Sequence, residues 1–330
     1  MHLRHPADRR TVLWTFLAAA VVALQYWRPA LIPYLAWVSA YFALACGVIA
    51  HNHNHCPTFV SARANHIFGT WLSIFYGYPT FAWVPTHNLN HHRYVNRPGD
   101  ATITWRVTNK HHLGMALSYF FVSAYWQGFL IKDFIRQAKQ NNRPLYRRIC
   151  AQYAFFLGSH AVLLTLAIAL HGWLLGVGVW VASLGAPAFF ALWTIMLFNY
   201  DQHAHTDAHS RWAHSRSFLS PTLNFLLFNN GYHFAHHEDA RAHWTELPAL
   251  HAKLAPHIHP SLQLKSLWGY WGKQYLLAPL FPRLGTVQLG AHPGETPAVK
   301  AAEATVSVSS PSPAAVAASP RDVAASLRSA

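Results

Sequence analysis

Residues 31–55 read LIPYLAWVSAYFALACGVIAHNHNH, an uncharged apolar run that ends in three alternating histidines. The apolar part, from Leu31 to Ala50, has about the 20 residues that an α-helix needs to cross the hydrocarbon core of a bilayer. His51 and His55 follow it directly, and residues four apart on a helix share one face. The stretch therefore predicts a membrane-spanning helix whose end aims two imidazoles at a common point.

The composition of the whole chain also predicts a membrane protein. It is 52% hydrophobic and only 11% charged, whereas soluble domains carry about 25% charged residues. Four apolar stretches approach the length of a membrane span, namely 11–27, 31–50, 151–171 and 173–198. Short turns at Arg28-Pro29 and His171-Gly172 predict that these spans form two helical hairpins. Two further runs, 66–83 and 113–131, are broken by Gly, Tyr and Pro, and we interpret them as interfacial or partly re-entrant helices.

Two more histidine clusters and an Asn-His pair have the spacing of metal ligands. They are His87-x-x-x-His91-His92, His233-x-x-His236-His237 and Asn199-x-x-x-His203. Together with the first cluster they supply nine candidate imidazole ligands and one amide. A single ion has about four to six ligand positions, so this number suits two ions better than one.

The distribution of Lys and Arg predicts the orientation of the chain in the membrane. Arg4, Arg9 and Arg10 precede the first span, and six basic residues between 132 and 148 precede the third. Short loops rich in Lys and Arg stay on the cytoplasmic side. If both hairpins begin and end there, all four metal-ligand elements form a His-rich cytoplasmic cap. The net charge of +14 is then explained by this bias and by anionic lipids, and no nucleic-acid motif accompanies it.

The three histidine boxes, taken in order, resemble those of the membrane-bound fatty acid desaturase superfamily, whose pattern is H-x(3,4)-H, H-x(2,3)-H-H and (H/Q)-x(2,3)-H-H. The resemblance covers about residues 12–285 and includes the Asn-His element that the stearoyl-CoA desaturase branch uses to complete its di-iron centre. It implies an all-α, multi-pass transmembrane fold with two Fe ions and O2 as co-substrate. It also implies that Asn199 acts through water and that the metal is bound by His51, His55, His87, His91, His92, His203, His233, His236 and His237.

Residue chemistry alone leaves the metal open, because neutral imidazole suits zinc, copper and iron. The zinc-protease motif H-E-x-x-H is missing, since Asn52 follows His51 and Asn88 follows His87. The carboxylate pattern of ferritin-like di-iron bundles is missing too. Four acids lie beside the boxes and either accept hydrogen bonds from ligand imidazoles or form part of a solvated face, namely Asp201, Asp207, Glu238 and Asp239.

The resemblance implies an O2-dependent desaturase that introduces a double bond into the acyl chain of a lipid. A hydroxylase or ketolase of the same superfamily, acting on an alkane, carotenoid or sphingoid base, is the alternative, and a membrane zinc hydrolase is a third reading. No flavin, haem or iron–sulfur motif is encoded in the chain. We therefore expect an external electron donor, either a ferredoxin or a small b-type cytochrome with its reductase. We expect the protein to lie among the lipids of a bacterial inner (plasma) membrane.

The remaining histidines and the end of the chain are expected to have no part in the chemistry. His53 would point away from His51 and His55 on a helix, and His160 is interpreted as a hydrogen-bonded helix contact within a span. Residues 1–285 are expected to form the desaturase-like domain. The Ala/Pro/Ser-rich stretch 286–330 is expected to be a disordered tail.

Overall fold

The computed structural model describes residues 2–292, and helices dominate this part of the chain. The α-helices are α1 (Asp8–Trp27), α2 (Ile32–His55), α3 (Ala62–Tyr76), α4 (His92–Tyr94), α5 (Leu113–Asn141), α6 (Arg143–His171), α7 (Trp173–Trp180), α8 (Ala186–His203), α9 (Pro221–Leu226), α10 (His233–Glu238), α11 (Leu247–Leu254) and α12 (Leu267–Trp271). Three π-helical segments interrupt or extend them, at Val84–His91, Val181–Gly185 and Gly272–Leu277. Four short 3₁₀ turns lie at Pro29–Leu31, Thr80–Ala82, Pro260–Leu262 and Pro282–Leu284.

The described residues form two compact units. Unit 1 contains residues 2–84 and 134–195, and unit 2 contains residues 85–133 and 196–292. Unit 1 therefore holds α1 to α3, α6, α7 and the first part of α8. The second and third histidine boxes, together with His203, belong to unit 2.

Three helical segments are long and apolar enough to cross a membrane: Pro29–His55, Arg143–His171 and Trp173–His203. They correspond to the second, third and fourth predicted spans. The first predicted span forms a helix, α1, but it is not one of the three. Its face carries polar residues that are buried within the protein, among them Thr11, Thr15 and Gln25, and Gln25 Nε2 donates to Ser39 Oγ of α2 at 2.6 Å.

The hairpin of α6 and α7 is held by two glycines. Gly172 turns the chain with a φ of +77°, a conformation that glycine adopts without steric cost. Gly176 lies so close to α6 that a Cβ atom there would approach Ala167 O to 2.5 Å. The outer face of α6 is apolar and exposed, as at Leu157 (60%) and Val162 (66%). An exposed apolar face of this kind is expected where a helix contacts lipid.

The two interrupted runs differ from each other in the structure. Over 66–83 the chain does break, because α3 ends at Gly77, which has a φ of +89°, and a 3₁₀ turn follows at Thr80–Ala82. Over 113–131 the apolar run is broken in the sequence but the helix is not. The structure has one unbroken helix that continues to Asn141, and a Cβ atom at Gly128 would meet nothing within 4 Å, so this glycine does not mark a turn or a close contact.

Unit 2 contains most of α5, the end of α8 and several short helices, and it has a small apolar core. Two short parallel strands, β1 (Ser217–Phe218) and β2 (Gln263–Leu264), pair in register. The core contains Phe234 and Leu262, both nearly inaccessible to solvent. Phe234 lies in α10 between the histidines of the third box, so the core fixes the backbone of that box.

The chain after Gly285 continues along unit 2 as far as it is described. The backbone N–H of Leu289 donates to His205 O at 3.2 Å, and Gln288 Nε2 donates to Thr206 O at 2.7 Å. The rest of the predicted tail, 293–330, lies outside the described residues.

Candidate metal centre

The second histidine box lies on a π-helix, Val84–His91, that runs into α4. In a π-helix the hydrogen bonds join residues five apart. His87 and His92 therefore share one face, and their Nε2 atoms lie 3.0 Å apart. The His87-x-x-x-His91 pair is also close, with ring centroids 5.2 Å apart, but the π-helix places the Nε2 atom of His87 against that of His92.

The third box lies on the short helix α10 and also divides between two directions. His233 and His237 are four residues apart, and their Nε2 atoms lie 3.1 Å apart. His236 lies on another face, where its Nε2 is 3.0 Å from Nε2 of His92. Adjacent residues on an α-helix point about 100° apart, so a His-His dipeptide supplies two sites.

Two imidazole groups result in unit 2. We name cluster A the four residues His91, His203, His233 and His237, whose candidate ligand atoms all lie within 4.8 Å of one another. We name cluster B the three residues His87, His92 and His236, which meet the same criterion. The clusters adjoin, because the ring centroids of His92 and His237 are 4.6 Å apart.

The first-box pair belongs to unit 1. His51 and His55 lie one turn apart on the last two turns of α2, with ring centroids separated by 4.9 Å. His51 also contacts the ring of Trp83 at 5.2 Å. The predicted convergence of these two imidazoles is therefore present.

Cluster A has the features of a metal site. His203 Nδ1 donates to His214 O at 3.1 Å, which leaves its Nε2 free to face Nε2 of His233 at 2.9 Å. His91 Nε2 is buried and has no hydrogen-bond partner, a costly state for a polar atom unless something binds it. Burial and the neighbouring imidazoles, His233 first among them, lower the pKa of His237 well below its usual value. A neutral imidazole is the form that binds a metal.

Asp100 orients His91 and was not among the residues predicted from the sequence. His91 Nδ1 donates to Asp100 Oδ2 at 2.9 Å, and both side chains are almost completely buried. Burial would raise the pKa of Asp100, but the electrostatic interaction with His91 and hydrogen bonds from His91, Thr102 and Asn96 outweigh it and lower this pKa to about 2. A carboxylate on the outer nitrogen fixes the tautomer of a ligand histidine. The one feature of the sequence that could have pointed to Asp100 is the rarity of acidic residues, of which the chain has 11.

Arg216 fixes the end of α8 that carries His203. Its guanidinium donates to Asp201 O and to Ala204 O, and its backbone N–H donates to Gln202 O at 2.7 Å. Arg216 is 2% exposed. The last carbonyls of a helix have no partner within the helix, and one buried arginine satisfies two of them here.

Asn199 lies one turn before His203 on α8, as its spacing predicts. Its Nδ2 donates to Tyr119 OH at 2.9 Å, which orients the side-chain amide. A second amide, Asn96, donates to His203 O at 3.0 Å. It lies four residues after His92 and ties this loop to the end of α8.

The four acids selected for their position beside the boxes have other partners. Asp201 accepts from Trp271 Nε1 at 2.7 Å and from Tyr275 OH. Asp207 and Asp239 accept from the backbone N–H groups of His209 and Arg241. Glu238 lies 3.4 Å from Nε2 of His214, which is not a predicted ligand.

The histidines interpreted as structural are bonded as such. His53 lies 2.9 Å from Thr58 Oγ1 through Nδ1 and 3.1 Å from Asn65 O through Nε2, so both ring nitrogens have partners. His160 Nε2 donates to Ile74 O at 3.1 Å. His205 also uses both ring nitrogens, with Asn109 O and Thr286 as partners.

Comparison with known proteins assigns the family. A family model described as fatty acid desaturase matches residues 27–268, a range that contains all three boxes and Asn199. Neither the curated proteins nor the solved structures give a significant match. The chain therefore belongs to the fatty acid desaturase family and is a membrane oxidoreductase of the desaturase and hydroxylase type.

Proposed function

We propose that this protein is an O2-dependent di-iron desaturase that introduces a double bond into the acyl chain of a lipid. The observation that carries the proposal is cluster A, four imidazoles within 4.8 Å of one another in a chain that belongs to this family. When bound, a pair of iron ions supplies the O2 activation and hydrogen abstraction that no side chain can perform alone.

The proposed ligands are those expected from the sequence. His91, His203, His233 and His237 would hold one iron, and His87, His92 and His236 would hold the other. We propose His51 and His55 as further ligands, on the basis of their spacing on α2 and of family membership. Asn199, one turn before His203, would contribute through water. The imidazole donors, with the buried and unpartnered Nε2 of His91 among them, can bind iron as well as zinc or copper, and family membership favours iron.

The side chains of the protein orient the ligand imidazoles and exclude water from the region around cluster A. Asp100 holds the proton on Nδ1 of His91, and the carbonyl of His214 does the same for His203. Both imidazoles therefore present Nε2 as the acceptor. His203 and Tyr200 are at most 1% exposed, so the region around cluster A is largely closed to solvent.

An electron donor is a necessary part of the proposal. The reaction consumes two electrons per double bond, and the sequence encodes no redox cofactor motif of its own. We propose a ferredoxin or a small b-type cytochrome with its reductase, docking on the cytoplasmic face of a bacterial inner membrane. The many Lys and Arg residues would attract an acidic partner.

Metal content and product analysis test the proposal together. Protein expressed with sufficient iron is expected to contain two irons per chain, and one zinc without iron would contradict the assignment. In a host with simple lipids, expression is expected to give fatty acids two mass units lighter that carry a new double bond. Products sixteen mass units heavier would instead establish the hydroxylase alternative.

Substitutions separate ligands from other histidines. His91→Ala and His203→Ala are each expected to abolish product, because O2 activation requires the complete ligand set. His160→Ala and His259→Ala are matched controls that should keep most activity at equal protein level, since these side chains bond only to Ile74 O and to Ser261. Equal loss in both groups would mean that the site is wrongly assigned.

A further inference from the structure

A cavity of about 90 Å³ lies within unit 1, beside the end of α2. Its walls come from α2, α3, the 3₁₀ turn at Thr80–Ala82, the later part of α5 and the first turns of α6. Most of the wall is apolar, as at Phe81, Phe134 and Ile149. Uncharged polar side chains also line it, among them Asn54 and Gln152. The basic side chains are the exposed Arg148 and the half-buried His66, so these two lie at the solvent-accessible side. The volume admits a small polar group and a few methylenes, but not a nucleotide.

Arg148 and His66 are close enough to influence each other. Burial, and after it the positive charge of Arg148, lowers the pKa of His66. Two basic groups placed together repel one another and favour an anion between them.

Unit 1 has almost no carboxylates to balance this charge. Its described residues contain one acid, Asp8, against ten Lys and Arg. Asp8 is 3% exposed and accepts a hydrogen bond from Thr11 Oγ1 at 2.8 Å. The described residues of unit 1 therefore carry a clear excess of positive charge, and the opening of the cavity is basic.

The position of the cavity on the helices indicates the source of the anion. Arg148 lies five residues after the start of α6, and the apolar body of this membrane-spanning segment follows it. A basic residue at the end of a span lies at the level of the lipid headgroups, where phosphates carry negative charge. The apolar wall suits the glycerol and first methylenes of a lipid.

We propose that this cavity binds the headgroup phosphate of an anionic glycerophospholipid. Arg148 donates charge-assisted hydrogen bonds to the phosphate oxygens, His66 donates one more, and Phe134 and Ile149 contact the glycerol end. The site is separate from the proposed iron ligands, so the inference holds whether or not the bound lipid is a substrate.

Lipid binding to the full-length protein tests this inference without turnover. Detergent-purified, delipidated protein is titrated with phosphatidylglycerol, and bound lipid is counted by native mass spectrometry. Arg148→Gln is expected to weaken binding of the first lipid about 10-fold, the usual effect of losing a charge-assisted hydrogen bond. Arg147→Gln is the matched control, because it removes the same charge at an exposed neighbouring position that does not line the cavity. Arg148→Lys should restore part of the affinity.

A second variant tests the cavity without changing charge. Gly69 lines the cavity, and a Cβ atom there would meet Thr80 and His53 only at ordinary distances of 3.6 to 3.8 Å. Gly69→Ala should therefore fold, narrow the cavity by one methyl group and weaken lipid binding. Equal loss in the Arg147 and Arg148 variants, or unchanged binding in Arg148→Gln, would overturn the proposal. Displacement of the lipid by millimolar inorganic phosphate would also overturn it, since the ligand would then be a free anion.

Discussion

Replacing Asp100 by Asn tests whether the orientation of His91 controls metal binding. The two carboxylate oxygens accept four hydrogen bonds. Oδ2 accepts from His91 Nδ1 at 2.9 Å and from the N–H of Asn96 at 2.8 Å. Oδ1 accepts from the N–H of Thr102 at 2.7 Å and from its hydroxyl at 2.6 Å. An amide has the same shape but only one oxygen, so its NH2 group must face two of these donors.

The magnitude follows from these contacts. Each buried donor left without an acceptor costs about 1–3 kcal/mol; because the Thr102 hydroxyl can rotate to accept from the new NH2 group, only the N–H of Thr102 is stranded, and the variant should lose about 1–3 kcal/mol of stability. Loss of a carboxylate behind a ligand histidine lowers metal affinity about 10- to 100-fold. We therefore expect Asp100→Asn to fold less stably and to release iron at a 10- to 100-fold lower chelator concentration than the wild type.

The assay is a chelator series followed by metal analysis of the recovered protein. Asp239→Asn is the control, because Asp239 is an exposed acid near the third box whose side chain accepts a hydrogen bond from the N–H of Arg241. If Asp100→Asn released iron at the wild-type chelator concentration, Asp100 would only hold its loop, and the argument for His91 as an oriented ligand would fail.

Three further predictions concern the role of Arg216 at the end of α8, the pH dependence of stability and the membrane topology. Arg216→Met should lower the temperature of half-inactivation and reduce iron content, because two carbonyls at the end of α8 lose their donor; Arg211→Met, at an exposed position, should do neither. Burial lowers the pKa of His111 to about 4, so its contribution to stability is complete above the unfolded pKa of 6.5 and is lost as pH falls toward 4. His111→Gln should therefore reduce the dependence of the unfolding free energy on pH by up to about 1.4 kcal/mol per pH unit. An unchanged dependence would contradict the assignment of this pKa to His111. In intact cells a membrane-impermeant thiol reagent should label single cysteines introduced at Ala30 and Trp173. It should label cysteines at Ala62, Lys110, Asn142 and Arg211 only after permeabilisation. Labelling of positions 62 and 142 from opposite faces of the membrane would refute the proposed topology.

Much of the fold could be predicted because its signals are local. The apolar stretches at 31–50, 151–171 and 173–198 lie within the three helical segments able to span a membrane. Hydrophobic length is decided by the bilayer and needs no knowledge of tertiary contacts. The same locality applies to His51 and His55, which an ordinary α-helix brings together.

The parts that could not be predicted depend on contacts distant in sequence or on an uncommon helix type. Asp100 reaches His91 through a loop, and no periodicity connects residues nine apart. Asp201 was selected for its closeness to His203, but its partners Trp271 and Tyr275 lie some seventy residues later. The pairing of His87 with His92 needs a π-turn, and the pattern of apolar residues does not distinguish a π-turn from an α-turn.

Because of the π-helix at Val84–His91, the second and third histidine boxes contribute to the two clusters in the same way. The second box has one more residue between its first and second histidines than the third box, and a π-turn accommodates one extra residue per turn. In both boxes the outer two histidines consequently point the same way, His87 with His92 and His233 with His237, while the middle one points elsewhere. Each cluster thus receives an outer pair from one box and a middle histidine, His236 or His91, from the other. Neither cluster can form from one box alone, so the two boxes must dock before either metal position exists.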